Sequence, residues 1–246
     1  MIQILKNRRT IREYASQPVP DELLERLLEG AARTPTTGNM QLYSVVITRD
    51  EKMKNKLLPA HFNQPMVLKA PVLLTVCADF NRFNCWCIQR KAVPGYGNFA
   101  SFMNAAQDAL FFAQTFCLLA ENEGLGTCYL GTTTYNPDKI IEVLKLPGYV
   151  VPLTTITVGY PEQIPAQPDR LPVDSFVHKE TYLDYTPEAI DKFYAYKESL
   201  PENQQFINEN QKETLAQVFT DVRYKRADNE YFSKVLAETI EKQGFL

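Results

Sequence analysis

The stretch from Asn98 to Glu123 limits the possible folds of this chain more than any other. Phe99, Phe102, Met103, Ala106, Ala109, Leu110, Phe111, Phe112, Ala113, Phe116, Cys117, Leu118 and Leu119 fall at helical spacing and cover nearly the whole circumference. A helix apolar all round is either buried or membrane-spanning. Asn104, Gln107, Asp108 and Gln114 interrupt any run of ~20 apolar residues, the length a bilayer requires. The expectation is a central buried helix that also packs against a partner subunit, ended by Gly124 and Gly126.

Shorter elements surround it. Ile2, Leu5 and Ile11 imply a short opening helix that runs into a cluster of arginines. Leu23, Leu24, Leu27, Leu28, Ala31 and Ala32 predict a helix over 21–33 behind Pro20. Leu42 to Thr48 reads as a strand, and Glu51 to Lys69 as helix broken at Pro59 and Pro65. Pro71 to Ala78 is a near-continuous apolar run, as in a central strand buried on both faces. Asn81 to Gly97, with Phe83 and Trp86, reads as an irregular loop or lid. Thr127 to Leu130 and Leu153 to Val158 are further strands, with a helix between them capped by Asn136 and carrying Pro137 at its first position. From Pro187 the chain turns polar but keeps helical spacing, too apolar for disorder and too thin for a core of its own.

Composition removes several classes of function. A formal net charge of −3 over 246 residues argues against a general nucleic-acid binder, which needs a basic face. With His61 and His178 as its only histidines and no Cys-x-x-Cys, the chain offers no zinc ligand set. Cys117 and Cys128 sit in apolar stretches as small hydrophobes, while Cys85 and Cys87 read as surface thiols. Met1 to Lys6 is too short and too soon charged for a secretory signal, so the cytoplasm is expected. Gly95-Tyr96-Gly97-Asn98-Phe99-Ala100 fits a dinucleotide pattern but lacks the strand before it and the acidic residue beyond it. Walker, G-x-S-x-G and H-E-x-x-H motifs are absent.

Four segments offer polar groups to a ligand. Arg8, Arg9, Thr10 and Arg12 place three guanidinium forks and a hydroxyl within five residues, a density suited to gripping phosphate. A solvated helix end accounts for the cluster equally well. Thr34 to Gln41 presents short donors, although ordinary turn chemistry serves there too. Gly131 at a strand end lets backbone N–H groups approach a ligand. Arg170 is presented on stiff, proline-rich backbone.

In their order, these motifs resemble the nitroreductase family, in the subgroup of NAD(P)H-dependent flavin oxidoreductases and oxygen-insensitive major nitroreductases. The resemblance rests on Arg8-Arg9-Thr10-Ile11-Arg12-Glu13-Tyr14, Thr36-Thr37-Gly38-Asn39-Met40-Gln41 and Cys77-Ala78-Asp79. It continues through Gly124-Leu125-Gly126-Thr127-Cys128-Tyr129-Leu130-Gly131, Leu144-Lys145-Leu146-Pro147, Gly159-Tyr160-Pro161 and Arg170-Leu171-Pro172. It runs from about Ile4 to Tyr182, and Lys242-Gln243-Gly244-Phe245 is similar to the subgroup's ending.

The resemblance implies an α+β fold with a mixed sheet flanked by helices. It implies residues 1–182 as an FMN-binding core and 183–246 as a helical extension packed on the core or wrapped around the partner of a homodimer, with FMN at the subunit interface. It implies that Arg8, Arg9, Thr10, Arg12 and Arg170 meet the FMN phosphate and the flavin's polar edge. Thr36, Thr37, Asn39 and Gln64 are implied to contact the flavin, and Leu130, Gly131 and Thr132 to lie along its ring. It also implies ping-pong transfer of hydride or electrons from NADPH or NADH to nitroaromatic, quinone or flavin acceptors, with no catalytic side chain, no nucleic acid and no membrane. A dehalogenase or flavin-fragmenting enzyme of the same fold, or a flavin- or anion-binding module without turnover, are the alternatives. The chain departs from the subgroup at Arg8 (often His), Pro168 (often Lys) and Thr132 (typically Gly), and it lacks a basic patch between Gln204 and Lys212 for an NADPH 2′-phosphate.

Overall fold

From Val72 to Asp79 every residue is buried, as the apolar run predicts. In the computed structural model, which describes residues 2–246, this strand lies inside a four-stranded sheet. Tyr43–Thr48 is β1, Val72–Asp79 β2, Gly126–Leu130 β3 and Val150–Gly159 β4, in spatial order β1-β2-β4-β3. Val45 faces Val76, Leu74 faces Ile156 and Cys128 faces Thr157, and all three strand pairs are antiparallel. The α+β class is as expected, but the sheet within the described residues is antiparallel rather than mixed. β2 and β3 run the same way, but β4 lies between them, so they never pair.

The helices before the long central one are α1 (Ile2–Asn7), α2 (Asp21–Ala31), α3 (Glu51–Leu57), α4 (Met66–Lys69) and α5 (Asn81–Gln89). The central helix, α6, spans Phe99–Asn122, and α7 spans Pro137–Leu144. The Asn98 side chain caps α6 by accepting from the Ser101 N–H at 2.9 Å. Ala109, Phe112, Phe116 and Ala120 pack in one core with Leu24 and Leu27 of α2 and with Leu74, Val76 and Ile156 of the sheet. Phe112 stacks on Tyr43 of β1 with ring centroids 4.6 Å apart. On the opposite side Phe99, Met103, Leu110 and Phe111 are exposed. These four share one helical face, so α6 is buried on one side only.

Four local readings need correction. Residues 81–89, expected to be irregular, form α5, because Asp79 at the end of β2 accepts the Arg82 N–H at 3.2 Å and so covers the first turn. Gly124, with φ +78°, ends α6, but Gly126 opens β3. Asn136 precedes α7 without capping it: its amide donates instead to the Ala60 carbonyl at 2.9 Å. Cys87, expected at the surface, is buried, whereas Cys85 is exposed.

The chain divides into two compact units, residues 1–166 with 232–246, and residues 167–231. The first holds the sheet, α1–α7 and the C-terminus, where Phe245 is buried with Phe80, Phe102 and Val151. The second holds α8 (Pro187–Ser199), α9 (Pro201–Glu209) and α10 (Leu215–Val218). Its core is small, centred on Ile207, Leu215 and Val218. α11 (Arg226–Lys242) begins there and returns the chain to the first unit at Phe232.

Candidate functional site

Backbone pairing fixes the arginine segment to the sheet. The Ile11 N–H donates to Thr127 O of β3 at 3.0 Å, and Ala15 N–H donates to Tyr160 O at 2.9 Å. The Tyr14 hydroxyl, buried beneath, donates to Ile11 O at 2.7 Å and lies 2.6 Å from Thr157 Oγ1. A Cβ on Gly126 would come within 2.5 Å of Ile11, so glycine there permits the segment to lie this close to β3.

The three arginines have separate environments. Arg8 Nε is 3.3 Å from Glu121 Oε1 of α6, and that oxygen also accepts from Thr127 Oγ1 at 3.0 Å. Burial pushes the Glu121 carboxyl up from its ordinary pKa, and Arg8 opposes that shift. Arg9 donates through Nη1 to Asn7 O at 2.6 Å, while its Nε is buried without a partner. Arg12 is exposed and lies beside the Cys128 thiol, whose pKa burial raises and Arg12 lowers. A cleft of about 310 Å³ is bordered by Arg8, Arg9, Ile11, Glu121 and Gly126.

The loop after α2 is held by a buried carboxylate. Asp108 Oδ1 accepts from the Thr37 N–H at 2.8 Å and from the Thr37 hydroxyl at 3.0 Å, and Oδ2 accepts from the Leu42 N–H at 3.1 Å. Between these anchors Gly38, Asn39 and Gln41 all have φ near +55°. Asn39 and Gln41 are thus L-residues in the left-handed region, a strained run held by its surroundings. The Thr37 hydroxyl is spent on Asp108. Thr36 is half-buried and Asn39 exposed.

The turn after β3 is held many times over. The Thr133 hydroxyl donates to Leu130 O at 2.9 Å and accepts from the Thr155 N–H of β4 at 2.9 Å. The Thr134 hydroxyl donates to Gly131 O at 3.1 Å. A Cβ on Gly131 would meet nothing within 4 Å, so its backbone faces open space. The segment carrying Gln64 is joined to this turn by two bonds, Asn136 to Ala60 and His61 Nδ1 to Thr132 Oγ1 at 2.9 Å. Gln64 N–H itself donates to His61 O at 3.1 Å.

The arginine segment, the Gln64 segment and the Leu130–Thr132 turn therefore share one frame centred on β3. The Thr36–Asn39 loop hangs on α6. Arg170 belongs to the second unit, where it donates through Nη1 to Asp169 O at 2.7 Å. Asp169 is paired with Lys197 at 3.1 Å, and a cavity of about 730 Å³ is bordered by Arg170, Tyr194, Lys197 and Phe219. Among the described residues no group of three metal-ligating side chains gathers, and no helix is long and apolar enough to cross a membrane.

Comparison with known proteins adds a name to this frame. The model of the nitroreductase family matches residues 5–160, which includes the arginine segment, the strained loop and the turn after β3. The chain belongs to the nitroreductase family. Among relatives of this nitroreductase-family chain, an FMN reductase [NAD(P)H] of Bacillus subtilis strain 168 is 32% identical over 253 residues, covering 100% of this chain and 97% of the relative. A solved protein from Bacteroides fragilis NCTC 9343 is 61% identical, with a TM-score of 0.98 and 99% of both chains covered. The NfrA1 nitroreductase of B. subtilis is 26% identical, with a TM-score of 0.86 over 99% of this chain and 98% of its own.

Two residues that anchor these segments have little signal in the sequence. Asp108 counted only as an interruption of an apolar helix, and His61 only as one histidine too few for zinc. A charged residue within an apolar run was the one available signal for Asp108, since buried carboxylates need partners. His61 gave none, because its partner lies 71 positions away.

Proposed function

We propose that this nitroreductase-family chain is an FMN-dependent oxidoreductase that transfers hydride or electrons from NADPH or NADH to nitroaromatic, quinone or flavin acceptors by a ping-pong mechanism. The observation that carries the reading is that cationic forks and an open glycine backbone are fastened to one strand, β3. Arg12, Arg9 and Thr10 offer donors to a phosphate, and the partnerless Arg9 Nε suits an anion. Arg8 shares its charge with Glu121 and tethers the segment to α6 as well. Arg170 is proposed as a further phosphate ligand. The open backbone at Gly131, flanked by Leu130 and Thr132, suits a flat ring, with Gln64, Thr36, Thr37 and Asn39 as further flavin contacts. These residues fit FMN, which when bound supplies the redox chemistry. The protein's part is to bind and orient it. The relatives named an FMN reductase and a nitroreductase support the same assignment.

A homodimer belongs to this reading. Phe99, Met103, Leu110 and Phe111 form an apolar face on α6 that a second copy would cover, with FMN near that interface and the C-terminal extension packed on core or partner. The cytoplasm is the proposed compartment.

The test is direct. Purified protein loaded with FMN should bleach anaerobically on adding NADH or NADPH and regain its colour with a quinone or nitroaromatic. Arg12→Ala should weaken FMN binding by ~1.5–3 kcal/mol, the scale of a hydrogen bond to a charged group. Unchanged FMN affinity in a folded variant refutes the phosphate role of Arg12.

A further inference from the structure

The His61–Thr132 pair reaches beyond that reading. The His61 ring is fully buried, on a short turn that leaves through Phe62 and Asn63, both in the left-handed region. Burial lowers its pKa to about 4, so the imidazole is neutral at pH 7 and carries a single ring proton. Nδ1 lies 2.9 Å from Thr132 Oγ1, and Nε2 is buried with no partner. A proton on Nε2 would leave a buried N–H with no acceptor, whereas a proton on Nδ1 is donated to Thr132. Orphaned buried N–H groups are rare because their desolvation goes uncompensated. Each tautomer leaves one donor without an acceptor among the described residues. With Nε2–H it is the sealed ring N–H, and with Nδ1–H it is the Thr132 hydroxyl beside Gly131, where a bound ligand can accept it, so ligand binding selects Nδ1–H.

That choice decides what Thr132 can do. Its neighbours have spent their hydroxyl protons, Thr133 on Leu130 O and Thr134 on Gly131 O. The Thr132 carbonyl accepts from the Tyr135 and Asn136 N–H groups at 3.1 and 3.3 Å. Once Oγ1 accepts from His61, its own proton has no acceptor among the described residues. Of three consecutive threonines, one keeps a donor in reserve, directly beside the open backbone of Gly131.

We propose that His61 is a positioning residue for the flavin: by donating from Nδ1 to Thr132 Oγ1, it holds the Thr132 hydroxyl as a hydrogen-bond donor to the polar edge of the ring. The inference rests on FMN lying along Leu130–Thr132.

The experiment compares wild type with His61→Phe, Thr132→Val, Thr132→Ser and the His61→Phe/Thr132→Val double variant. FMN affinity is read by flavin fluorescence, the midpoint potential by anaerobic dye titration, and the His61 tautomer by ¹⁵N NMR of the FMN-bound protein. His61→Phe and Thr132→Val should each weaken FMN about 3- to 10-fold, the loss of one neutral hydrogen bond. Both should shift the potential in the same direction. The double variant should be no worse than either single one, since the two residues act as one unit. Thr132→Ser should stay near wild type. Additive losses, a His61→Phe potential equal to wild type, or an Nε2–H tautomer would overturn the inference and leave the flavin assignment intact. Wild type that fails to take up FMN would instead sink that assignment, and the inference with it. If His61→Phe does not fold, the Thr132 variants and the tautomer decide: an Nδ1–H signal with Thr132→Val weakened supports the inference, and anything else refutes it.

Discussion

The loop from Thr36 to Gln41 and the turn from Leu130 to Asn136, which carry residues proposed to meet the flavin, are built on opposite principles. The loop contains three left-handed residues and is held at both ends by the carboxylate of Asp108. The turn spreads its anchoring over Thr133, Thr134, His61 and Asn136, no one of which supplies every bond. A strained segment whose two ends share one carboxylate, with the Arg82 guanidinium donating to the Gln41 carbonyl as its other tie, is a point of failure. A relaxed one with several anchors degrades gradually.

Substitution tests this contrast most severely at Asp108. Asp108→Ala strands two backbone N–H groups and a hydroxyl, and should cost about 3–5 kcal/mol in denaturant unfolding. Asp108→Asn keeps an oxygen acceptor and should cost less. A loss below ~1 kcal/mol for the alanine variant would mean that the Arg82 bond to the Gln41 carbonyl holds the loop without Asp108.

Acid probes the other side. The folded pKa of His61 is lowered to about 4 from an ordinary 6.5, so the folded state resists a proton that the unfolded chain accepts. Its contribution is intact above pH 6.5 and is lost as the pH falls towards 4, worth about 3 kcal/mol over that window. Unfolding free energies at pH 7 and 4.5 should fall more steeply for wild type than for His61→Phe. Parallel profiles would show that the ring is not the titrating group.

The smallest effect is expected within the turn. Thr133→Val removes one donated and one accepted hydrogen bond but leaves the other anchors, and should cost about 2 kcal/mol. A loss matching that of Asp108→Ala would erase the distinction between the two segments.

Period and composition made the framework legible. The largely apolar run from Asn98 to Glu123 announced α6, and the near-continuous apolar run from Pro71 to Ala78 announced β2. Local sequence was silent wherever a bond closed across long separations. α5 was hidden because its first turn is covered by Asp79, a residue of the preceding strand. Asn136 stood where a cap belongs, but its amide is committed to Ala60, 76 positions away. Within the candidate site the arginine cluster could be read as a cluster. Nothing short of three dimensions divided its work, with Arg8 against Glu121 and Arg12 at the surface.

The close approach of Ile11 to Gly126 has a mechanical side. The side chain that position 126 lacks is the space Ile11 occupies, so the arginine segment seats against the sheet like a key against its stop. Loops ordinarily borrow their position from their own flexible ends. This one takes its datum from β3, and whatever the arginines hold is measured out from the sheet.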